Sequence, residues 1–198
     1  MLDAAEQEFA KYGLSGARTE DIAAKTGVTK AMIYYYFKSK EQLYQAVLER
    51  IFFGYMDLIQ IEQLEELSPE EALEKLVRGQ IAADSTHPNN IPIQFHEALQ
   101  NQGKYYKNVL TSDKAQKAFR IFTGIFERGM VEGCFRELHP QHTAINVLGA
   151  CSMYFVAYEN LKYLWQGAPL RSPEMIERHT QEVINLVLAG VRVQKDSK

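Results

Sequence analysis

The chain has 198 residues, 46% of them hydrophobic and 24% charged, a composition that supports a sizeable core and excludes wholesale disorder. Its formal net charge of -3 argues against a generally basic surface, although a local basic patch can still bind nucleic acid. Cys134 and Cys151 form neither a disulfide framework nor a metal-binding spacing, so we expect two apolar, reduced side chains.

No membrane-crossing or secretory segment is predicted. The N-terminal sequence MLDAAEQEFAKYG lacks the basic and apolar regions of a secretory signal. The most apolar window, residues 144–158, is interrupted by Asn146 and Ser152 and is shorter than the roughly 20 residues that cross a bilayer. We therefore expect a cytoplasmic protein with no membrane partner.

Helical periodicity recurs along nearly the whole chain and no segment alternates like a strand, which predicts an all-α fold of about nine helices. The first helix is predicted over residues 2–12, with Gly13 as its stop. The residues predicted to form its buried stripe are Ala5, Phe9 and Tyr12.

The next three predicted helices are short or begin at recognisable signals. Thr19 is predicted to cap the second helix, which Gly27 ends, and a third helix starts near Thr29. A fourth begins near Lys40, and its predicted inward side chains are Leu43, Ala46, Val47 and Ile51.

Longer helices are predicted beyond residue 61. Ser68 to Glu71 combines a capping box with a proline at the first helical position. The later helices are predicted after the turn at residues 87–90, then over 104–130 with a break near 111–113, over 140–166 and over 173–192. We interpret residues 1–45 as an N-terminal three-helix domain and residues 46–198 as a larger helical domain.

The third helix has an unusual composition, with three consecutive tyrosines beside lysines in the sequence GVTKAMIYYYFKSKE. At 100° per residue, one predicted inward set is Val28, Met32, Ile33 and Tyr36. The predicted outward set is Lys30, Ala31, Tyr34 and Tyr35. Exposed tyrosines next to a lysine are poor for solubility and indicate a binding surface.

Charge in this region is locally positive. Residues 1–50 contain seven basic and seven acidic side chains, yet no acidic residue lies between Asp21 and Glu41. Two short helices joined by a glycine turn, the second basic and aromatic on its outer face, match a helix-turn-helix. Its hydroxyl and ammonium groups donate to phosphates, while small Ala31 permits close approach to bases.

Residues 1–50 resemble the DNA-binding domain of the TetR family of bacterial transcriptional regulators. The matching residues are Thr19, Ile22, Ala23, Gly27, Val28, Thr29, Ile33, Tyr34, Tyr36, Phe37, Ser39, Lys40, Glu41 and Leu43. The resemblance implies a ligand-responsive repressor that binds a palindromic, double-stranded operator as a homodimer. It also implies contacts to DNA from Thr29, Lys30, Ala31, Tyr34 and Tyr35, and to phosphate from Thr19 and Lys40.

The larger domain is predicted to provide the dimer contact. Residues 144–165 are apolar on two faces and residues 173–192 carry a wide apolar stripe, and a helix apolar on both sides has to be covered on both sides. One large monomer core would satisfy this pattern. The resemblance favours instead a four-helix homodimer contact through the last two helices.

The effector is predicted to be a small lipophilic or aromatic molecule. Its candidate contacts are aromatic side chains on the larger helices, namely Phe95, Tyr105, Phe122, Phe126, Tyr154 and Tyr158. Core packing explains such stripes equally well, but tyrosine hydroxyls can also serve as polar contacts in an apolar cavity.

Catalysis and metal binding have no positive support in the sequence. His96 and Glu97 lack the second histidine of a zinc helix, and His139 and His142 lie where helix capping is expected. We therefore expect no cofactor, no metal and no enzymatic activity. The alternative is a helical small-molecule binding protein or enzyme whose head domain no longer reads DNA.

Overall fold

The computed structural model describes residues 1–194, so residues 195–198 of the predicted second domain lie outside it. Within the described range the chain forms eleven α-helices, one 3-10 helix (Ile61–Glu66) and no β-strand, which confirms the all-α prediction. The α-helices are α1 Leu2–Gly16, α2 Thr19–Thr26, α3 Lys30–Phe37, α4 Lys40–Ile59, α5 Pro69–Thr86, α6 Asn90–Gln100, α7 Lys107–Leu110, α8 Asp113–Val131, α9 Pro140–Val156, α10 Tyr158–Leu164 and α11 Pro173–Val191.

The structure has two more helices than expected because two long predicted helices are each divided. The break predicted near residues 111–113 separates α7 from α8. The segment predicted over residues 140–166 is also divided, between α9 and α10 at Ala157.

The chain forms two compact units, and each unit consists of residues that pack mainly against one another. The first contains Met1–Gly54 and His87–Ala115, and the second contains Tyr55–Thr86 and the chain from Gln116 onward. The domain boundary placed at residues 45 and 46 stays a prediction.

The first unit is built around aromatic packing between its helices. Phe9 of α1 and Tyr44 of α4 are both fully buried and meet edge to face with ring centroids 4.9 Å apart. The Tyr44 hydroxyl donates to the Ile93 carbonyl of α6 at 3.4 Å. Burial of the two rings contributes several kcal/mol to folding, at roughly 1.5–3 kcal/mol per large apolar side chain.

Gly13 interrupts α1 as predicted, since its backbone is not helical, and a further turn continues across the kink to Gly16. Its φ of 66° and ψ of 179° are open to glycine, and a Cβ there would lie 2.8 Å from the Gln100 side-chain oxygen. The helix therefore kinks where α6 approaches it. Tyr12, just before the kink, is 46% exposed, so the prediction that it lies in the buried stripe was wrong.

In the second unit α5 packs against α9 and α11. The predicted capping box at its start is confirmed, since the Glu71 amide donates to Ser68 Oγ at 3.5 Å and the Ser68 amide donates to Glu71 Oε2 at 3.2 Å. Another close contact follows α8, where the amide of Phe135 donates to the Gly129 carbonyl at 2.9 Å.

A buried carboxylate joins three helices of the second unit. Asp84 of α5 is 1% exposed and accepts hydrogen bonds from the Tyr55 hydroxyl of α4 at 2.5 Å and the Ser152 hydroxyl of α9 at 2.8 Å. The Gln80 amide adds a third at 3.3 Å. Burial nevertheless raises the pKa of Asp84, because it disfavours the charged form more than these donors favour it.

Gly129→Ala is expected to destabilise the chain by about 2–4 kcal/mol, because overpacking a rigid core is costly. A Cβ at Gly129 would lie 2.1 Å from the Phe135 ring. Gly124→Ala, on the same helix with nothing within 4 Å of its Cβ, is the matched control and should be neutral or stabilising by up to about 1 kcal/mol. Chemical denaturation measures both, and equal effects would contradict the proposed close contact.

The substitution Asp84→Asn tests whether the buried Asp84 carboxylate destabilises the folded chain when it is charged. A carboxyl whose pKa is raised by folding is stabilising in its neutral form, and that contribution is lost as pH rises through the folded-state pKa. The unfolding free energy of the wild type minus that of Asp84→Asn should therefore fall as pH rises above the ordinary value of 3.8. Exposed Asp57→Asn is the control, and a difference that grows with pH would contradict the account.

Candidate nucleic-acid interface

The turn between α2 and α3 is fixed by one glycine and one cap. Gly27 has φ 68° and ψ 10°, the left-handed conformation that ends α2. Thr29 then caps α3, its hydroxyl oxygen accepting from the Met32 amide at 3.3 Å. Thr19 was predicted to cap α2, but that position belongs to Arg18, which makes no side-chain cap hydrogen bond.

Only one residue of α3 is buried, Ile33. Ile33 lies on the helix that packs against α2, whose buried residues are Thr19, Ile22 and Ala23. The prediction that Met32 and Tyr36 point inward was wrong, since they are 42% and 60% exposed. An eight-residue helix at the surface offers one row to the core, and the Tyr36 ring packs edge-on against Tyr35 at 5.3 Å instead.

The outward face of α3 contains the predicted DNA-contacting side chains. Tyr35 is 72% exposed and Tyr34 38% exposed, and Lys30, Ala31 and the cap Thr29 are also exposed. We call Thr29, Lys30, Ala31, Tyr34, Tyr35 and Tyr36 the α3 outer face. Its hydroxyl groups and one ammonium are donors suited to phosphate and base-edge acceptors.

Lys30 is held by neighbouring side chains on α2 and α3. Its ammonium forms an ion pair with Glu20 and lies 5.7 Å from the centroid of the Tyr34 ring. The hydrogen bond raises the pKa of Lys30 and lowers the pKa of Glu20. The Tyr34 hydroxyl lies 3.4 Å from Thr19 Oγ1. Thr19 is 4% exposed, so its hydroxyl lies beneath the α3 outer face.

The lysines that follow α3 contact backbone carbonyls. Lys38 Nζ donates to the Tyr35 carbonyl at 2.9 Å, and Lys40 Nζ donates to the Ala17 carbonyl at 3.0 Å. Ser39 accepts from the Gln42 amide at 3.1 Å and so caps α4. Lys40 is thereby placed beside the free backbone N–H groups of a helix start, where an anion is favoured.

Of the seven predicted DNA-binding residues, five lie together on the outer face, Thr19 lies beneath it and Lys40 lies at the start of α4. Sequence reasoning missed Tyr36 as a member of this surface and Glu20 as the partner of Lys30. Tyr36 could have been found from the shortness of α3. No local sequence pattern indicates the role of Glu20, which reaches Lys30 through the tertiary packing of α2 on α3.

Two of the predicted effector contacts belong to the first unit. Phe95 lies on α6 and is 44% exposed. The amide of Tyr105 donates to the buried Glu97 carboxylate at 2.6 Å, and its ring meets Tyr44 edge to face at 5.8 Å. Both contacts of Tyr105 therefore have structural roles in the loop after α6.

The other four predicted effector contacts belong to the second unit. Phe122 and Phe126 are buried on α8 with ring centroids 5.9 Å apart. Tyr154 donates its hydroxyl to the Leu170 carbonyl at 2.7 Å and stacks on His179 at 4.3 Å. Burial raises the pKa of Tyr154 and lowers that of His179. The Tyr158 ring lies 4.1 Å from the Arg171 guanidinium.

The described residues give no support for metal binding or for crossing a membrane. His139 caps α9, its ring nitrogen accepting from the His142 amide at 3.5 Å. Among residues 1–194 no group of three or more His, Cys, Asp or Glu side chains is placed to hold a metal ion. No helix in the same range has the length and apolar character needed to cross a membrane.

Family models match both the N-terminal and the C-terminal region of the chain. Residues 1–47 match the family model described as bacterial regulatory proteins, tetR family, and residues 69–187 match the tetracyclin repressor-like C-terminal domain.

Two curated relatives are transcriptional regulators. The HTH-type transcriptional repressor NicS of Pseudomonas putida is 30% identical over 155 residues, covering 78% of this chain and 73% of that protein. The HTH-type transcriptional regulator RutR of Escherichia coli is 27% identical over 193 residues, covering 97% and 89%.

A solved structure, the fatty acid degradation regulator FadR of Bacillus halodurans, shares the fold. Its TM-score is 0.73 at 22% identity, over 96% of this chain and 97% of that one. The helix-turn-helix geometry, the two family models and the relatives agree. The chain belongs to the tetR family of bacterial regulatory proteins and is a DNA-binding transcriptional regulator.

Proposed function

We propose that the protein is a homodimeric repressor whose two α3 helices enter successive major grooves of a palindromic operator and whose second unit binds a small effector. The observation that carries the proposal is the outer face of α3, where three tyrosines and a lysine are exposed above one buried anchor, Ile33. No requirement of the fold explains why this surface is aromatic.

The proposed DNA contacts divide into two kinds. Tyr34, Tyr35 and Lys30 lie on the face that would approach base edges and thymine methyls. Thr29 and Ala31, at the first turn of α3, would let the backbone approach the groove. Lys40 and the start of α4 would bind a phosphate and fix the angle at which α3 enters. Thr19 would act on phosphate indirectly, by holding the Tyr34 hydroxyl.

The proposed dimer partner is a second copy of the chain, covering the last helices. Val147, Cys151 and Tyr154 are buried on one face of α9. Apolar side chains on other faces of the last three helices are exposed in the single chain, namely Ile145, Met153, Leu164 and Leu186. Such a patch marks an interaction surface, and a palindromic operator requires a twofold axis.

The proposed switch acts through α4. Its Tyr55 hydroxyl is bonded to Asp84, which also bonds α9 through Ser152. An effector that repacks α5 or α9 would alter this network and displace α4. Operator half-sites are one turn apart, roughly 34 Å, so a small displacement would spoil the fit. A coupling of about 1–3 kcal/mol would change operator affinity by about 5–150-fold.

The effector is proposed to be lipophilic or aromatic. The aromatic side chains Phe122, Phe126 and Tyr154 in the second unit support an apolar ligand. Asp84 weighs against an anionic one, because a second negative charge near a buried carboxylate is unfavourable.

Lys30→Ala and Tyr35→Ala should each weaken binding to a duplex operator selected from a random library, by about 5–150-fold for a loss of roughly 1–3 kcal/mol. Lys75→Ala, a lysine of the second unit, is the matched control for charge. Fluorescence anisotropy across a salt series measures the affinity. Absent binding by the wild type, or equal losses for Lys30→Ala and Lys75→Ala, would favour a head domain that does not read DNA.

Leu186→Asp should convert the dimer to a monomer, because a carboxylate buried at an apolar contact costs several kcal/mol. The matched control is Leu99→Asp on α6, since Leu99 is 76% exposed and Leu186 67% exposed. Sedimentation velocity at micromolar concentration measures the mass. A monomeric wild type, or Leu186→Asp as dimeric as Leu99→Asp, would contradict the proposed contact.

A further inference from the structure

The only lysine of the α3 outer face has a carboxylate partner on the neighbouring helix α2. Glu20 of α2 forms an ion pair with Lys30, and its other carboxylate oxygen accepts from Thr19 Oγ1 at 3.3 Å. The side chains of Lys30 and Glu20 are 48% and 60% exposed. A negative charge therefore lies on the surface that would face DNA.

The other three lysines between Asp21 and Glu41 are Lys25, Lys38 and Lys40, and their partners differ from Glu20. Lys25 pairs at 2.8 Å with Glu8, whose side chain is 3% exposed, so that carboxylate is hidden from an approaching phosphate. Lys38 and Lys40 donate to backbone carbonyls, which carry no net charge. Among these four lysines, Lys30 is thus the one whose ammonium forms an ion pair with a solvent-exposed carboxylate.

The ion pair between Lys30 and Glu20 is weak enough for another anion to replace the Glu20 carboxylate. An ion pair between two exposed side chains contributes little to stability, so a well-placed phosphate can replace Glu20. Binding to DNA without sequence preference depends almost wholly on attraction between ammonium groups and phosphates. In a non-specific complex the protein can shift on the DNA, so every exposed ammonium group can find a phosphate. In the operator complex the protein has one fixed position, and only the ammonium groups that this position brings to a phosphate contribute.

We propose that Glu20 is a specificity-determining residue, which withholds the Lys30 ammonium from the phosphates of non-operator DNA. This rests on the proposed function of the α3 outer face. With Glu20 present, random-sequence duplexes lose one cationic contact and meet one repulsive carboxylate. The operator complex loses less because its base contacts to α3 remain. Glu20 thereby widens the ratio between operator and non-operator affinities.

The test compares Glu20→Gln with Asp21→Asn, which removes the same charge from the neighbouring exposed position of α2. Affinity is measured for a random-sequence 30-base-pair duplex and for the selected operator, across a salt series. Glu20→Gln should raise random-duplex affinity about two- to five-fold more than Asp21→Asn does, the size of one exposed ion pair. Its log–log salt slope should steepen by about 0.9, the value for one added phosphate contact.

A double-mutant cycle assigns the effect to Lys30. In a Lys30→Ala background, Glu20→Gln and Asp21→Asn should raise random-duplex affinity equally. Equal effects in the wild-type background, or a lower random-duplex affinity for Glu20→Gln, would overturn the assignment of Glu20. A Lys30→Ala variant that binds both duplexes like the wild type would instead overturn the proposed function of Lys30.

Discussion

The burial of a single side chain, Ile33, determines what this protein can present to a partner. Because α3 has only eight residues and packs against α2, one anchor is enough to hold it. The remaining large side chains must then be solvated or bind something. Three neighbouring tyrosines are unfavourable on a surface that contacts only solvent. The chain belongs to a DNA-binding family, and contact with DNA would explain these side chains.

Because these side chains are exposed, each interaction on this surface is weak. The Glu20–Lys30 pair, the Lys38–Tyr35 contact and the Thr19–Tyr34 contact are all at least partly exposed. Each can exchange with water or phosphate at low cost. A surface of exchangeable partners stays soluble without DNA and can still bind when an acceptor replaces those partners.

In the second unit the strongest polar constraint is buried rather than exposed. Asp84 holds Tyr55 and Ser152 at short distances, although burial disfavours its charged form. Tyr55 belongs to α4, a helix of 20 residues that is about 30 Å long. This arrangement is why the proposed effector response is routed through α4.

Local signals predicted most of the fold, and tertiary packing explains what they missed. Ser68 and Glu71 formed the expected capping box, and the break near residues 111–113 was visible in the sequence. The burial of Tyr12, Met32 and Tyr36 was misjudged, because a helical-wheel projection assumes that each helix is covered along a full stripe. Glu20 and Asp84 could not be foreseen, since their partners lie on other helices.

Dimethyl sulfate protection of guanine N7 tests most directly whether the α3 outer face enters the major groove, because N7 lies in that groove. With the selected operator, we expect two protected patches centred about 10 base pairs apart. Tight, sequence-specific binding that leaves every guanine N7 accessible would contradict it.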